Sequence, residues 1–332
     1  MNKTWLAAAL AAAPLTSALA CASCGCSINT DWSAQGLPSA PGWSLDVRTD
    51  WLDQDRLWLN THAVAPAQAV QLTNTRTGDP AEVELYTKNR YVTASADFND
   101  GEAWGVNVSV PAIDRRHSTL GMGSDGRTFD VENGAYTSSG SGVGDVRVVG
   151  RYFGFSEQHN FGLQFGLKLP TGAMHQLGDD GQSVVDPGLQ RGTGTTDLIA
   201  GAYGFGLLSD NSNWSYFGQV TVQAALNRST MAAGSYKPGD SLNLSVGARY
   251  LGVEGFVPSV QLNARIARRD SGEAADTFAT GGTLLYLTLG GLAPLSEKLG
   301  VYANLQAPVY QRVNGLQLTP RYILSIGAKY SF

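Results

Sequence analysis

Residues 321–332 read Arg-Tyr-Ile-Leu-Ser-Ile-Gly-Ala-Lys-Tyr-Ser-Phe. Side chains alternate faces along a strand, so Tyr322, Leu324, Ile326, Ala328, Tyr330 and Phe332 share one side, and that side is apolar throughout. Apart from Ile323, the opposite side carries Arg321, Ser325, Gly327, Lys329 and Ser331. Such a face is too polar for a packed core and suits a wet lumen, so the stretch predicts the closing strand of a transmembrane β-barrel.

The composition of the 332 residues agrees. Forty glycines and only 15% charged residues do not suit a helical enzyme, and point to an all-β chain. A formal net charge of −5 excludes a nucleic-acid partner, which requires a basic face. Mean hydropathy is −0.12, as expected where lipid-facing residues alternate with lumen-facing ones.

Residues 1–20 combine Lys3, an apolar run from Trp5 to Leu15, and Ala18-Leu19-Ala20 before Cys21. This is the pattern of a cleaved secretory signal peptide. A lipidated Cys21 is the alternative processing. Residues 21–42 form a lead-in segment, periplasmic or lumenal, that opens with the three cysteines Cys21, Cys24 and Cys26. Their spacing suits a soft metal ion or a disulfide, and three ligands fall one short of a closed zinc site. The sequence requires no other cofactor.

From Trp43 to Phe332, twelve stretches alternate apolar and polar residues over the length a tilted strand needs to cross hydrocarbon. The first runs Trp43–Asp53 and the third Trp104–Asp114. The fourth runs Val143–Phe153, the seventh Trp214–Ala225 and the last Arg321–Phe332. Connections after the second, fourth, sixth, eighth and tenth are short, and those after the first, third, fifth, seventh and ninth are longer. Outer-membrane barrels show this rhythm, with tight periplasmic turns, longer external loops, an even strand number and both termini periplasmic. The fold expected is a closed up-and-down antiparallel barrel of about twelve strands in the bacterial outer membrane. A secreted β-sandwich is the competing fold and gives no reason for the rhythm.

Inward positions place Asp46, Arg48, Asp145, Arg147, Arg151, Lys168, Arg249, Arg265, Arg321 and Lys329 along the pore, mixing both signs. Other motifs carry less. Gly121–Gly126 matches a dinucleotide pattern without the helix that must follow it. Asp179 and Asp180 lack the spacing of a calcium loop. His62, His117, His159 and His175 fall on predicted loops or turns without a Ser and an acid beside them, so no enzyme is expected.

Several segments resemble a known family. They are Gly144-Asp145-Val146, Gly166-Leu167-Lys168-Leu169-Pro170-Thr171-Gly172, Gly192-Thr193-Gly194-Thr195-Thr196-Asp197, and Pro308-Val309-Tyr310-Gln311-Arg312-Val313-Asn314-Gly315. They resemble the outer-membrane transporter barrels grouped with the meta-pathway of phenol degradation. That resemblance implies uptake of aromatic compounds. Gly327, Tyr330 and Phe332 likewise resemble the C-terminal signal of bacterial outer-membrane barrels, which implies the barrel assembly machinery as a partner, beside outer-membrane lipid and a small-molecule solute. The function expected is passive passage of small solutes, aromatic or hydrophobic among them. The alternatives are a structural anchor for a periplasmic redox or metal-handling partner docked through the cysteines, and a barrel lipase or protease.

Overall fold

The computed structural model describes residues 41–76, 78, 80–120 and 134–332. The signal peptide, the cysteines and the Gly121–Gly126 motif lie outside the described residues. Twelve antiparallel strands form one closed sheet. They are β1 (Gly42–Leu59), β2 (Glu84–Asn99), β3 (Trp104–Leu120), β4 (two pieces, Ala135–Val143 and Val146–Tyr152), β5 (Phe161–Leu169) and β6 (Asp197–Leu207). The rest are β7 (Trp214–Ala225), β8 (Ser241–Tyr250), β9 (Val257–Ala267), β10 (Gly282–Pro294), β11 (Leu299–Val313) and β12 (Leu316–Ser331). Each pairs with its neighbour in sequence, and β12 closes on β1 from Ser44↔Ser331 to Leu59↔Leu316. Closure removes the free strand edges that hydrocarbon does not tolerate.

One end carries the short connections 100–103, 153–160, 208–213, 251–256 and 295–298. The first is held by Asp100, whose Oδ1 accepts from the backbone N–H groups of Glu102, Ala103 and Trp104, each at 2.9 Å. The other end carries 60–83, 170–196, 226–240 and 268–281. It also holds the turn Asn314-Gly315, where Gly315 has φ +52°, a conformation favouring glycine. That turn is only two residues long, and beside it β11 pairs with β10 and β12 with β1.

The outer surface is set by alternation. On β1, Trp43, Leu45, Val47 and Trp51 are exposed, and at a rise of ~3.3 Å per residue and a tilt of ~40° they cover roughly 20 Å along the barrel axis. Beside the short turns the exposed aromatics form a girdle. Its ring contacts include Trp43–Phe98 at 5.1 Å, Trp104–Tyr152 at 4.7 Å, Trp214–Tyr250 at 5.1 Å and Tyr330–Phe332 at 5.3 Å. Trp and Tyr occupy such belts because one part of the ring prefers hydrocarbon and the other water.

Several strands run farther toward the long loops than alternation predicts. β1 continues past Asp53 to Leu59, β3 past Asp114 to Leu120, and β4 gains Ala135–Val143. In these extensions Asp53, Asp55, Asp114 and Arg116 are exposed. The interior is filled instead, by one cluster of Leu52, Tyr91, Ile113, Leu284, Tyr286, Val313 and Ile323 and another around Leu57, Val83, Leu120, Leu316 and Leu318.

Candidate functional site

Inside the barrel lies a cavity of about 290 Å³. Register builds its wall. Lys329, Asp46, Ser95, Ser109, Arg147, Lys168 and Asp197 are successive cross-strand partners from β12 through β1 to β6. Because the side-chain period is two, all seven point to the same side of the sheet.

Seven of the ten inward charges read from the sequence line this cavity: Asp46, Arg48, Asp145, Arg147, Lys168, Arg265 and Lys329. Arg151 sits within the barrel but is only 1% exposed, and its guanidinium grips Asp97 through two bonds of 2.7 and 3.0 Å. Arg249 is buried with its guanidinium 4.4 Å from the centre of the Phe217 ring. Arg321 lies elsewhere. Irregularities in the β1–β12 ladder between Leu52 and Arg56 shift the alternation, leaving the Arg321 side chain 62% exposed and paired with Asp55 at 2.9 Å.

Several of the ionic groups are bonded to one another. Lys168 Nζ lies 2.9 Å from Asp145 and 3.3 Å from Asp197, and also donates to Thr193 Oγ1. Asp145 accepts in addition from Gly172 N at 3.0 Å and Thr193 N at 3.1 Å. The three motifs at 144–146, 166–172 and 192–197 therefore meet in one buried knot. Close backbone approach explains two of its glycines, since a Cβ on Gly192 would come within 2.3 Å of Gly172 O and one on Gly172 within 2.7 Å of Arg191 O. The knot ties the start and end of loop 170–196 to the barrel wall.

That loop also enters the lumen, where its turn Pro187–Leu189 narrows the passage. Arg115 holds it there, donating to Gly188 O at 3.1 Å and Gln190 O at 3.2 Å while bonding Asn89 and Tyr91 on the wall. Arg115, Asp97, Asp197 and Arg191 were not singled out from the sequence. Asp197 was within reach, standing at the end of a recognised motif in an inward register position. Arg191 belongs to a loop, where no periodicity applies.

His117 lies on β3, not on a loop. It is buried, with Nδ1 2.8 Å from Thr87 Oγ1. Beyond the lumen, Glu82, Asp186, Asp270 and Asp276 gather around a small cavity of about 40 Å³ at the loop end. Burial raises the Asp270 carboxyl to about 6. Among the described residues, Arg265 acts on Asp270 and Arg269 on Asp276.

No protein-family model matches the chain, and no curated protein matches it by sequence. Among solved structures it is similar to an outer membrane channel from Pseudomonas putida F1, with a TM-score of 0.62 at 14% identity over 92% of this chain and 100% of that one. It is more weakly similar to the monoaromatic hydrocarbon channel CymD, with a TM-score of 0.46, 12% identity and 89% of each chain covered. The P. putida toluene transporter TodX gives a TM-score of 0.45 at 9% identity over 90% of this chain and 94% of that one. The first of these shares the fold of this chain: it is an outer-membrane-type barrel.

Proposed function

We propose that the protein is a passive channel of the bacterial outer membrane for small solutes, aromatic compounds among them. The observation that carries this is a closed barrel that is apolar outside over one band and holds a polar cavity of about 290 Å³ within it. That volume stands at the lower limit of small-molecule pockets, about 300–1,000 Å³, and suits a small solute such as a single substituted ring. The fold shared with an outer membrane channel supports the location, and the resemblance to the phenol meta-pathway transporters supports the solute class. In this reading the short turns and both termini face the periplasm and the long loops face outward. The terminal Tyr330 and Phe332 serve as the signal for the barrel assembly machinery.

The test is swelling of liposomes that contain the folded, full-length protein. Arabinose, a single ring, should enter, and raffinose, with three, should not. Absence of swelling with any solute, from protein showing the heat-modifiable mobility of a folded barrel, contradicts the channel and favours an anchor docked through Cys21, Cys24 and Cys26.

A further inference from the structure

The charges of the lumen divide into those that are spent and those that are not. Among the cavity-lining residues are seven basic and three acidic ones, although the chain as a whole has a formal net charge of −5. Each of the three acids is engaged. Asp97 is held by Arg151, Asp145 by Lys168, and Asp46 accepts from Tyr302 Oη at 3.0 Å.

Four of the bases bond neutral acceptors instead. Arg115 and Arg191 are spent on backbone carbonyls, those of Gly188 and Gln190 and that of Ser141. Arg147 Nη2 donates to Gln223 Oε1 at 3.2 Å, and Arg265 Nη1 to Asn243 Oδ1 at 2.9 Å. Both of these acceptors are neutral amides, and among the described residues neither arginine has a carboxylate within ion-pair distance. Arg265 also keeps a buried Nε without a hydrogen-bond acceptor. The amides are themselves fixed. Gln223 donates through Nε2 to Asp197 at 2.6 Å, which turns its oxygen toward Arg147, and Asn243 is the cross-strand partner of Arg265. Arg265 acts on Arg147 as a like charge, while Asp197 and Asp145 act on it in the opposite sense. Two preorganised guanidinium groups of like charge thus line one lumen, and among the described residues each is bonded to a neutral acceptor.

We infer that Arg147 and Arg265 form an anion station inside the lumen, and that its ligand is a small aromatic monocarboxylate. This rests on the channel reading and names the solute class for it. A guanidinium presents its donors as a planar fork that matches a carboxylate, and an anion between two arginines relieves their repulsion. The ring has its own surface, because Tyr91, Ile113, Val149 and Ile199 line the same cavity. A ring with its carboxylate fits the volume of about 290 Å³. Asp97 and Asp145, each paired with a base, do not oppose the anion as free carboxylates would.

The probe is sodium benzoate at pH 8, with the folded full-length protein in a planar bilayer. Reversal potential under a benzoate gradient gives the permeability of benzoate relative to sodium, and sodium chloride conductance is recorded in parallel. Benzoate is expected to be favoured over sodium. The double variant Arg147→Gln/Arg265→Gln should lower that ratio about tenfold or more, as loss of charged donors does, while its sodium chloride conductance persists. If that variant fails to fold, Arg147→Lys/Arg265→Lys keeps the charge without the fork and should lose preference for benzoate over chloride. Sodium chloride conductance with sodium favoured over benzoate, or a ratio unchanged in the variants, overturns the station and leaves the channel standing. Absence of any conductance from folded protein overturns both.

Discussion

Two halves of a single strand, β1, carry opposite patterns. From Trp43 to Trp51 the apolar residues face out, and Ser44, Asp46, Arg48 and Asp50 face in. From Leu52 to Leu57 the order inverts, with Leu52 and Leu57 buried inside and Asp53 and Asp55 exposed. The neighbours change at the same level, where Arg90 and Lys88 on β2 and Asp114 and Arg116 on β3 become the exposed residues. One barrel therefore has two solvents outside it. Where the surroundings are hydrocarbon, the interior can stay polar and wet; where they are water, the interior must pack like that of a soluble protein to hold the sheet.

The comparison is most easily broken at the polar knot of the first half. Lys168 is only 4% exposed and sits between Asp145 and Asp197, so Lys168→Met leaves two buried carboxylates uncompensated. A loss of about 3–5 kcal/mol is expected, as for other broken buried pairs, read by urea unfolding in lipid. Adding Asp145→Asn and Asp197→Asn should return much of it. A loss below about 1 kcal/mol would mean that water reaches the knot freely, as it does for exposed pairs.

The filled half makes the opposite demand. Leu284 belongs to the interior cluster with Tyr286, Val313 and Ile323, and Leu284→Ala should cost about 2–5 kcal/mol through lost burial and a cavity. Truncating Thr93, which lines the lumen, should cost far less.

On the outer surface, the two solvents can be compared with one substitution. Val47→Arg, in the middle of the apolar band of β1, should destabilise by about 2–4 kcal/mol in lipid, whereas arginine near an interface costs about 0–1 kcal/mol. Asp53→Arg on the same strand should behave as the latter. Equal costs would erase the boundary drawn at Trp51.

These two halves also explain what alternation could reveal. All twelve strands were legible, because in the hydrocarbon band the period of two is unbroken; Trp214–Ala225 is the same in sequence and structure. The strand extensions were not. Beyond Trp51 the pattern changes sides and then slips at a bulge, and residues 135–143, Ala-Tyr-Thr-Ser-Ser-Gly-Ser-Gly-Val, have no apolar face to read. The same slip carries Arg321 out of the lumen. Within the site, alternation places seven of the ten charges along the cavity but does not tell which of them are neutralised. That depends on register across several strands and on a loop returning through the barrel, as the bonds of Lys168 and Arg115 show.

The smallest effect is expected at the loop end. Burial raises Asp270 to about 6 from the ordinary 3.8, so the native state keeps its proton after the unfolded state has lost it. Its contribution to stability is full below about pH 4 and falls as pH rises through 6. The loops should resist proteolysis better at pH 5 than at pH 8, and Asp270→Asn should flatten that dependence. The reverse trend would mean that a cation neutralises the cluster.

The inversion itself is open to direct measurement with nitroxide labels at Val47, Thr93 and Asp53, placed one at a time in a chain whose Cys21, Cys24 and Cys26 are serine and reconstituted in lipid. Paramagnetic relaxation by oxygen reports hydrocarbon and relaxation by a nickel chelate reports water. The label at position 47 should respond to oxygen, and those at 93 and 53 to nickel. A nickel response at 47, or an oxygen response at 93, would contradict a membrane-spanning barrel with a wet lumen.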